Sequence, residues 1–172
     1  MPKKQQSLNL KNSLQASLKG AAKVAVLGIG SDLRGDDISG IIAVQELEKK
    51  ADSISRTIPF KTFLGYTAPE NLSGEIRKFS PTHLIMIDTA DIKKKPGDIM
   101  VFTAESAGGM SFSTHKLPVK VMAEYLKSSI GCEVIIVGIQ PKTLDFGKPV
   151  SKVVEDAAKA VADDIKELLS AK

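Results

Sequence analysis

Two adjacent carboxylates, Asp36 and Asp37, follow a glycine-punctuated turn in the stretch LGIGSDLRGDDISG, which runs from Leu27 to Gly40. Asp88 closes the apolar run LIMID with Asp91 just beyond it, and His115 ends the glycine- and serine-rich stretch AESAGGMSFSTH. Carboxylate oxygens and an imidazole nitrogen, with no lysine or cysteine partner, are the donor set of a divalent transition metal with open coordination positions: zinc, nickel, iron or manganese. A phosphate-binding reading of the turn fails on charge. The lysine and Ser/Thr of a P-loop do not follow, and an acid pair at a helix start repels an anion.

Each group also has a purely structural reading. One of Asp36 and Asp37 can cap a helix, accepting orphan backbone N–H groups and complementing the helix dipole, and spacing alone does not choose between them. Asp88 sits at the mouth of a low-dielectric crevice, where an unpaired charge is costly, so it is either functional or satisfied by local turn amides. His83 precedes its strand, which predicts a solvent-facing position at the opposite edge of the sheet from Asp88.

The elements that must carry these residues are readable from periodicity. KVAVLGI and THLIMID are short, nearly continuous apolar runs, as expected of strands covered on both faces, and the first is expected to be central. TIPFKTFLG reads as an edge strand because Pro59 removes a ladder donor. Helices are expected from Asp37, with Ile38, Ile41, Ile42, Val44 and Leu47 on one face, and from the Pro69 turn, with Leu72, Ile76 and Phe79 aligned. DIMVFT follows LIMID after nine residues, too few for a helical crossover, so it is predicted to run antiparallel. A helix opened by Pro118, the strand CEVIIVGI and a long final helix complete the chain. The expected fold is an α/β three-layer α/β/α sandwich, a mostly parallel five-stranded sheet with one antiparallel strand. Residues 1–22, with Leu10, Leu14 and Leu18 four apart, are expected to form an amphipathic helical extension to a single domain over 23–172. In such sheets ligands bind beyond the carboxyl ends of the strands, where the acids fall.

The chain has 172 residues, 42% of them hydrophobic, enough for a core without disulfides. A lone cysteine, Cys132, excludes an internal disulfide or CxxC site and points to a reducing, cytoplasmic compartment. Net charge is +4, spread along a chain with no tryptophan and two tyrosines, so a basic stripe with stacking aromatics is missing and nucleic acid is not an expected partner. No apolar run reaches the length of a membrane span, so no membrane insertion is expected.

The blocks GIGSDLRGDDISG, TAPEN, LIMIDTAD with PGDI, STHKLP and VGIQP resemble, in order, the hydrogenase maturation endopeptidases, and together they span Gly28 to Pro141. The resemblance implies a protease that removes the C-terminal extension of a nickel-iron hydrogenase large-subunit precursor after nickel insertion. It implies that Asp37, Asp88 and His115 contact the metal, and that the nickel comes with the precursor rather than being held permanently. Other divalent metals are expected to substitute in vitro, and a monomer is implied. Asp36, Glu70, Asp91 and Gln140 are candidates for the surrounding shell or the substrate cleft. Two departures from the family pattern are Ser31, where an asparagine is usual, and Ile38, where a glycine commonly follows the acid pair.

Rival readings are a phosphoacceptor receiver-like signalling domain, whose acids and lysine Asp36, Asp37, Asp88 and Lys142 imitate, a free-standing metallopeptidase, and a nickel chaperone that does not cleave. The receiver reading leaves His115 without a role and expects a helix where DIMVFT follows LIMID directly.

Overall fold

The computed structural model describes residues 3–54, 58–103, 106, 111–112 and 119–170. Six strands are present among them: β1 (Val24–Ile29), β2 (Phe60–Tyr66), β3 (His83–Asp91), β4 (Ile99–Thr103), β5 (Ser111–Phe112) and β6 (Glu133–Ile139). The main sheet runs in the order β2-β1-β3-β6-β4, all parallel except β4, which lies antiparallel to β6. The two residues of β5 pair antiparallel with the end of β3 at Ala90 and Asp91. The strand after Pro59 is an edge strand and the short-linked strand is antiparallel, as the sequence predicts. The middle position belongs to β3, however, and β1 sits second, between β2 and β3.

Alternation along the strands divides the core into two layers. Val24, Val26, Ile85, Ile87, Ile135 and Val137 face α2 (Ser39–Lys49) and α5 (Lys152–Ser170). Ala25, Leu27, Leu84, Met86 and Ile136 face the opposite way, against Ile76 of α3 (Ser73–Phe79) and Met122 and Leu126 of α4 (Val119–Ile130). Both faces of β1, β3 and β6 are therefore covered, which is why their sequences read as continuous apolar runs. The first helix, α1 (Lys3–Ser17), places Leu10 and Leu14 in the α2/α5 layer, and Lys11 pairs with Glu167 of α5. Its leucines are thus part of the common core.

Two features depart from the sequence reading. Strand β3 does not stop at Asp88 but continues to Asp91, because β6 pairs with it through Thr89 and β5 through Asp91. His83 lies at the amino end of β3, away from the acids, yet it is buried, and loss of hydration pushes its imidazole below the ordinary histidine range. Strand pairing on both sides, with β1 and with β6, encloses it.

The carboxyl edge is shaped by close backbone approach. A Cβ on Gly40, in the first turn of α2, would lie 2.1 Å from the Ile87 carbonyl oxygen and 2.4 Å from that of Ile29. The start of α2 therefore rests directly on the ends of β1 and β3, and only a residue without a side chain fits there. Gly40→Ala is expected to cost about 3 kcal/mol, since neither contacting atom belongs to a movable side chain. Gly74→Ala, whose added methyl meets nothing within 4 Å in α3, should instead stabilise by about 0.5–1 kcal/mol through helix propensity. Urea unfolding of the two variants beside the parent checks the opposite signs.

Candidate active site

The chain leaves β1 at Ile29 and passes through a 3-10 turn, Gly35–Ile38, before entering α2. Gly30 has φ +147, and a Cβ there would fall 1.9 Å from the Asp37 carbonyl oxygen, so the turn folds back onto its own start. The Ser31 amide donates to the same oxygen at 3.3 Å. Asp36 and Asp37 are both buried in this turn, and neither side chain caps the 3-10 turn or α2. Asp36 does not cap its own helix because its carboxylate is turned to the chain that follows β6.

The two neighbours differ completely in their surroundings. Asp36 Oδ2 accepts hydrogen bonds from the backbone amides of Lys142 (2.7 Å) and Thr143 (3.0 Å), and Oδ1 accepts from the Ser151 amide (2.6 Å). Its carboxylate is saturated by the loop that follows β6. Asp37 is 1% exposed, and neither of its oxygens has a hydrogen-bond partner among the described residues. A buried carboxyl group without a donor is destabilising whether it keeps its charge or takes up a proton, which sets Asp37 apart from its neighbour.

Asp88 is fully buried, and its Oδ1 accepts the Thr89 amide at 2.7 Å. Thr89 joins this strand to the acid turn. Its hydroxyl donates to the Asp36 carbonyl oxygen at 3.0 Å, and the Ser39 hydroxyl lies 2.7 Å from it. The one Thr89 proton is committed to Asp36, so Ser39 is the donor of the second bond. These two buried hydroxyls fix the Asp36–Asp37 turn against the Asp88 segment. The sequence reading missed them. The hydroxyl residues Thr89, directly after Asp88, and Ser39, two residues after Asp37, were the available signal.

The remaining candidates are placed as follows. Asp91 pairs with the Lys93 ammonium, which together with the Lys93 amide and the Gln140 side chain holds its carboxyl below the ordinary aspartate range. Gln140 is spent on the same connection, accepting the Ile92 and Lys94 amides on Oε1 at 2.9 and 3.2 Å. Both residues brace the β3–β4 link. Glu70 borders a shallow groove of about 380 Å³ with Ser73, Val121, Met122 and Tyr125, on the α3/α4 side. A concavity of about 500 Å³ between α1 and β4 is lined by residues such as Asn9, Lys94 and Met100 and includes none of the candidate acids. His115 and Pro118 lie outside the described residues, and among the described residues no cluster of three or more metal-ligating side chains occurs. No described helix is long and apolar enough to cross a membrane.

Buried acids lie at the carboxyl edge of a mostly parallel three-layer α/β sheet, the edge at which ligands bind in folds of this class. Residues 61–168 match the family model described as hydrogenase maturation protease. A protein of Methanocaldococcus jannaschii is 32% identical over 163 residues, covering 93% of this chain and 96% of that one. The hydrogenase 3 maturation protease of Escherichia coli is 31% identical over 137 residues, 79% of this chain and 84% of its own. Among solved structures, the NiFe hydrogenase maturation protease HycI from Thermococcus kodakarensis superposes with a TM-score of 0.82 at 25% identity, over 92% of this chain and 99% of that one. The chain belongs to the hydrogenase maturation protease family.

The contrast between the adjacent acids predicts opposite effects on stability. Asp36→Asn puts an N–H where a backbone donor must be accepted and should cost about 2 kcal/mol. Asp37→Asn removes a carboxyl that no described group supports, and should leave stability unchanged or raise it by about 1 kcal/mol. Thermal and denaturant unfolding of both metal-free variants measures the difference.

Proposed function

We propose that this protein is the endopeptidase that removes the C-terminal extension of a nickel-iron hydrogenase large-subunit precursor once nickel has been inserted. The observation that carries the reading is the Asp37 carboxylate, buried at the sheet's carboxyl edge with no described donor. It supports a cation arriving from outside, and family membership supports the class of substrate.

In this reading the nickel is part of the substrate. Asp37, Asp88 and His115 meet it, and two oxygen donors with one nitrogen donor are a fitting set for nickel with open positions. A divalent metal held there polarises a carbonyl or lowers the pKa of a bound water. The protein's own task is to hold the acids in place before the substrate arrives. Gly40 seats the start of α2 on the strand ends, and Thr89 and Ser39 lock the Asp37 turn to the Asp88 segment. The desolvation of Asp37 is then relieved only when the metal-loaded precursor docks, which makes the nickel a checkpoint: precursor without nickel leaves the acid uncompensated. Three ligands also imply weak affinity for free metal. Cleavage in a reducing, cytoplasmic compartment fits the single, buried Cys132.

Mass spectrometry of nickel-loaded large subunit, with and without this protein, tests the reading. The expected result is loss of a C-terminal peptide only when protein and nickel are both present. An unchanged mass with nickel loaded would sink it. Asp37→Asn, Asp88→Asn and His115→Ala should each reduce processing to below detection. The dialysed parent protein should hold no stoichiometric metal, whereas zinc surviving dialysis would speak for a free-standing metallopeptidase.

A further inference from the structure

The segment from 141 to 151, which follows β6, is an exposed connection with an interior hydrogen-bond partner. Asp36 takes its amides at both ends, at Lys142 and Thr143 and again at Ser151, and the Asp36 amide donates to the Thr143 carbonyl oxygen at 3.0 Å. Between these points the Gly35 amide donates to the Lys148 carbonyl oxygen (3.1 Å), the Gly147 amide to that of Leu33 (2.8 Å), and Arg34 Nε to that of Leu144 (3.3 Å). The loop and the acid turn are therefore bonded into one body.

Among the exposed residues of this body, which include Asp32, Lys142, Asp145 and Lys148, two are large and apolar. Phe146 is 77% exposed and Leu33 is 56% exposed, and neither packs into either layer of the core. The Gly147–Leu33 bond places the two segments side by side. Leu33 is four residues before Asp37, just ahead of the Gly35–Ile38 turn. The Asp37 amide donates to the Arg34 carbonyl oxygen at 3.0 Å, so Leu33 is one residue from a backbone partner of Asp37. A large aromatic side chain held on an ordered backbone beside such a site is the kind of contact that anchors a protein partner.

We propose that Asp36 is a positioning residue for the protein substrate: it clamps the 142–151 loop so that Phe146 and Leu33 form an apolar docking contact for the large-subunit precursor beside Asp37. The proposal rests on the precursor being the substrate. Asp36 acts on docking, through the loop, whereas Asp37 acts at the metal.

Steady-state processing of nickel-loaded precursor by the parent, Asp36→Asn and Phe146→Ala proteins provides the test, with amide hydrogen exchange read in parallel. Phe146→Ala should raise KM about tenfold with kcat within about twofold, the signature of binding lost equally from ground and transition states. Asp36→Asn should also raise KM. Its remaining carbonyl oxygen is expected to turn toward the two-donor side, so the Ser151 amide loses exchange protection while Lys142 and Thr143 keep theirs. Parent KM in Phe146→Ala, or a kcat loss at unchanged KM in Asp36→Asn, would overturn the proposal. Should Asp36→Asn not fold, Phe146→Ala decides alone, because it leaves every clamp bond in place. A parent protein that leaves the precursor mass unchanged refutes the underlying reading instead, a result distinct from variants that match an active parent.

Discussion

The contact of α2 with the strand ends is the constraint from which the rest of the site follows. Gly28 and Gly40 lie against one another, and a Cβ on Gly28 would come within 2.5 Å of the Gly40 carbonyl oxygen. With the helix start pressed this closely onto β1 and β3, the preceding turn has no room to stand away from the sheet, and both of its aspartates become buried. Burial of two consecutive acids is tolerable only if their needs are met separately. The fold meets one of them with three backbone amides and gives the other no partner among the described residues.

This division explains why the post-β6 loop belongs to the site although it supplies no ligand. Asp36 and the loop stabilise each other: the carboxylate gains charge-assisted hydrogen bonds, and the loop gains an interior anchor at each end. Asp37 is then held by a frame that does not depend on it. A frame stable without Asp37 can keep that acid in an unfavourable state, the usual relation between stability and function at a binding site. Thr89 and Ser39 extend the frame to β3, so the position of Asp88 is tied to the same turn.

Much of the architecture was legible because local patterns decide it. Continuous apolar runs marked the strands covered on both faces, Pro59 marked the edge, and the shortness of the link before β4 required an antiparallel strand. The carboxyl-edge location of Asp36, Asp37 and Asp88 followed from the same reading. The distinction between Asp36 and Asp37 did not, because the donors that settle it are 106, 107 and 115 residues away in sequence. The hydrogen-bonding roles of Gln140 and Asp91 are not legible in the sequence for a similar reason. Their partners, Ile92, Lys93 and Lys94, are local to the β3–β4 link, and only the pairing of β3 with β6 brings Gln140 to them. His83 was expected in solvent because its position at the strand start suggested an exposed edge, whereas two flanking strands close over it.

The central claim is that Asp37 is satisfied by a metal that the substrate brings. Nickel K-edge absorption of the loaded precursor, recorded alone, with the parent protein and with Asp37→Asn, addresses it at the metal itself. The account predicts that the parent protein adds an oxygen donor to the nickel coordination shell and that Asp37→Asn, though still docked, does not. Identical nickel spectra for free precursor and for the precursor bound to the parent protein would contradict it.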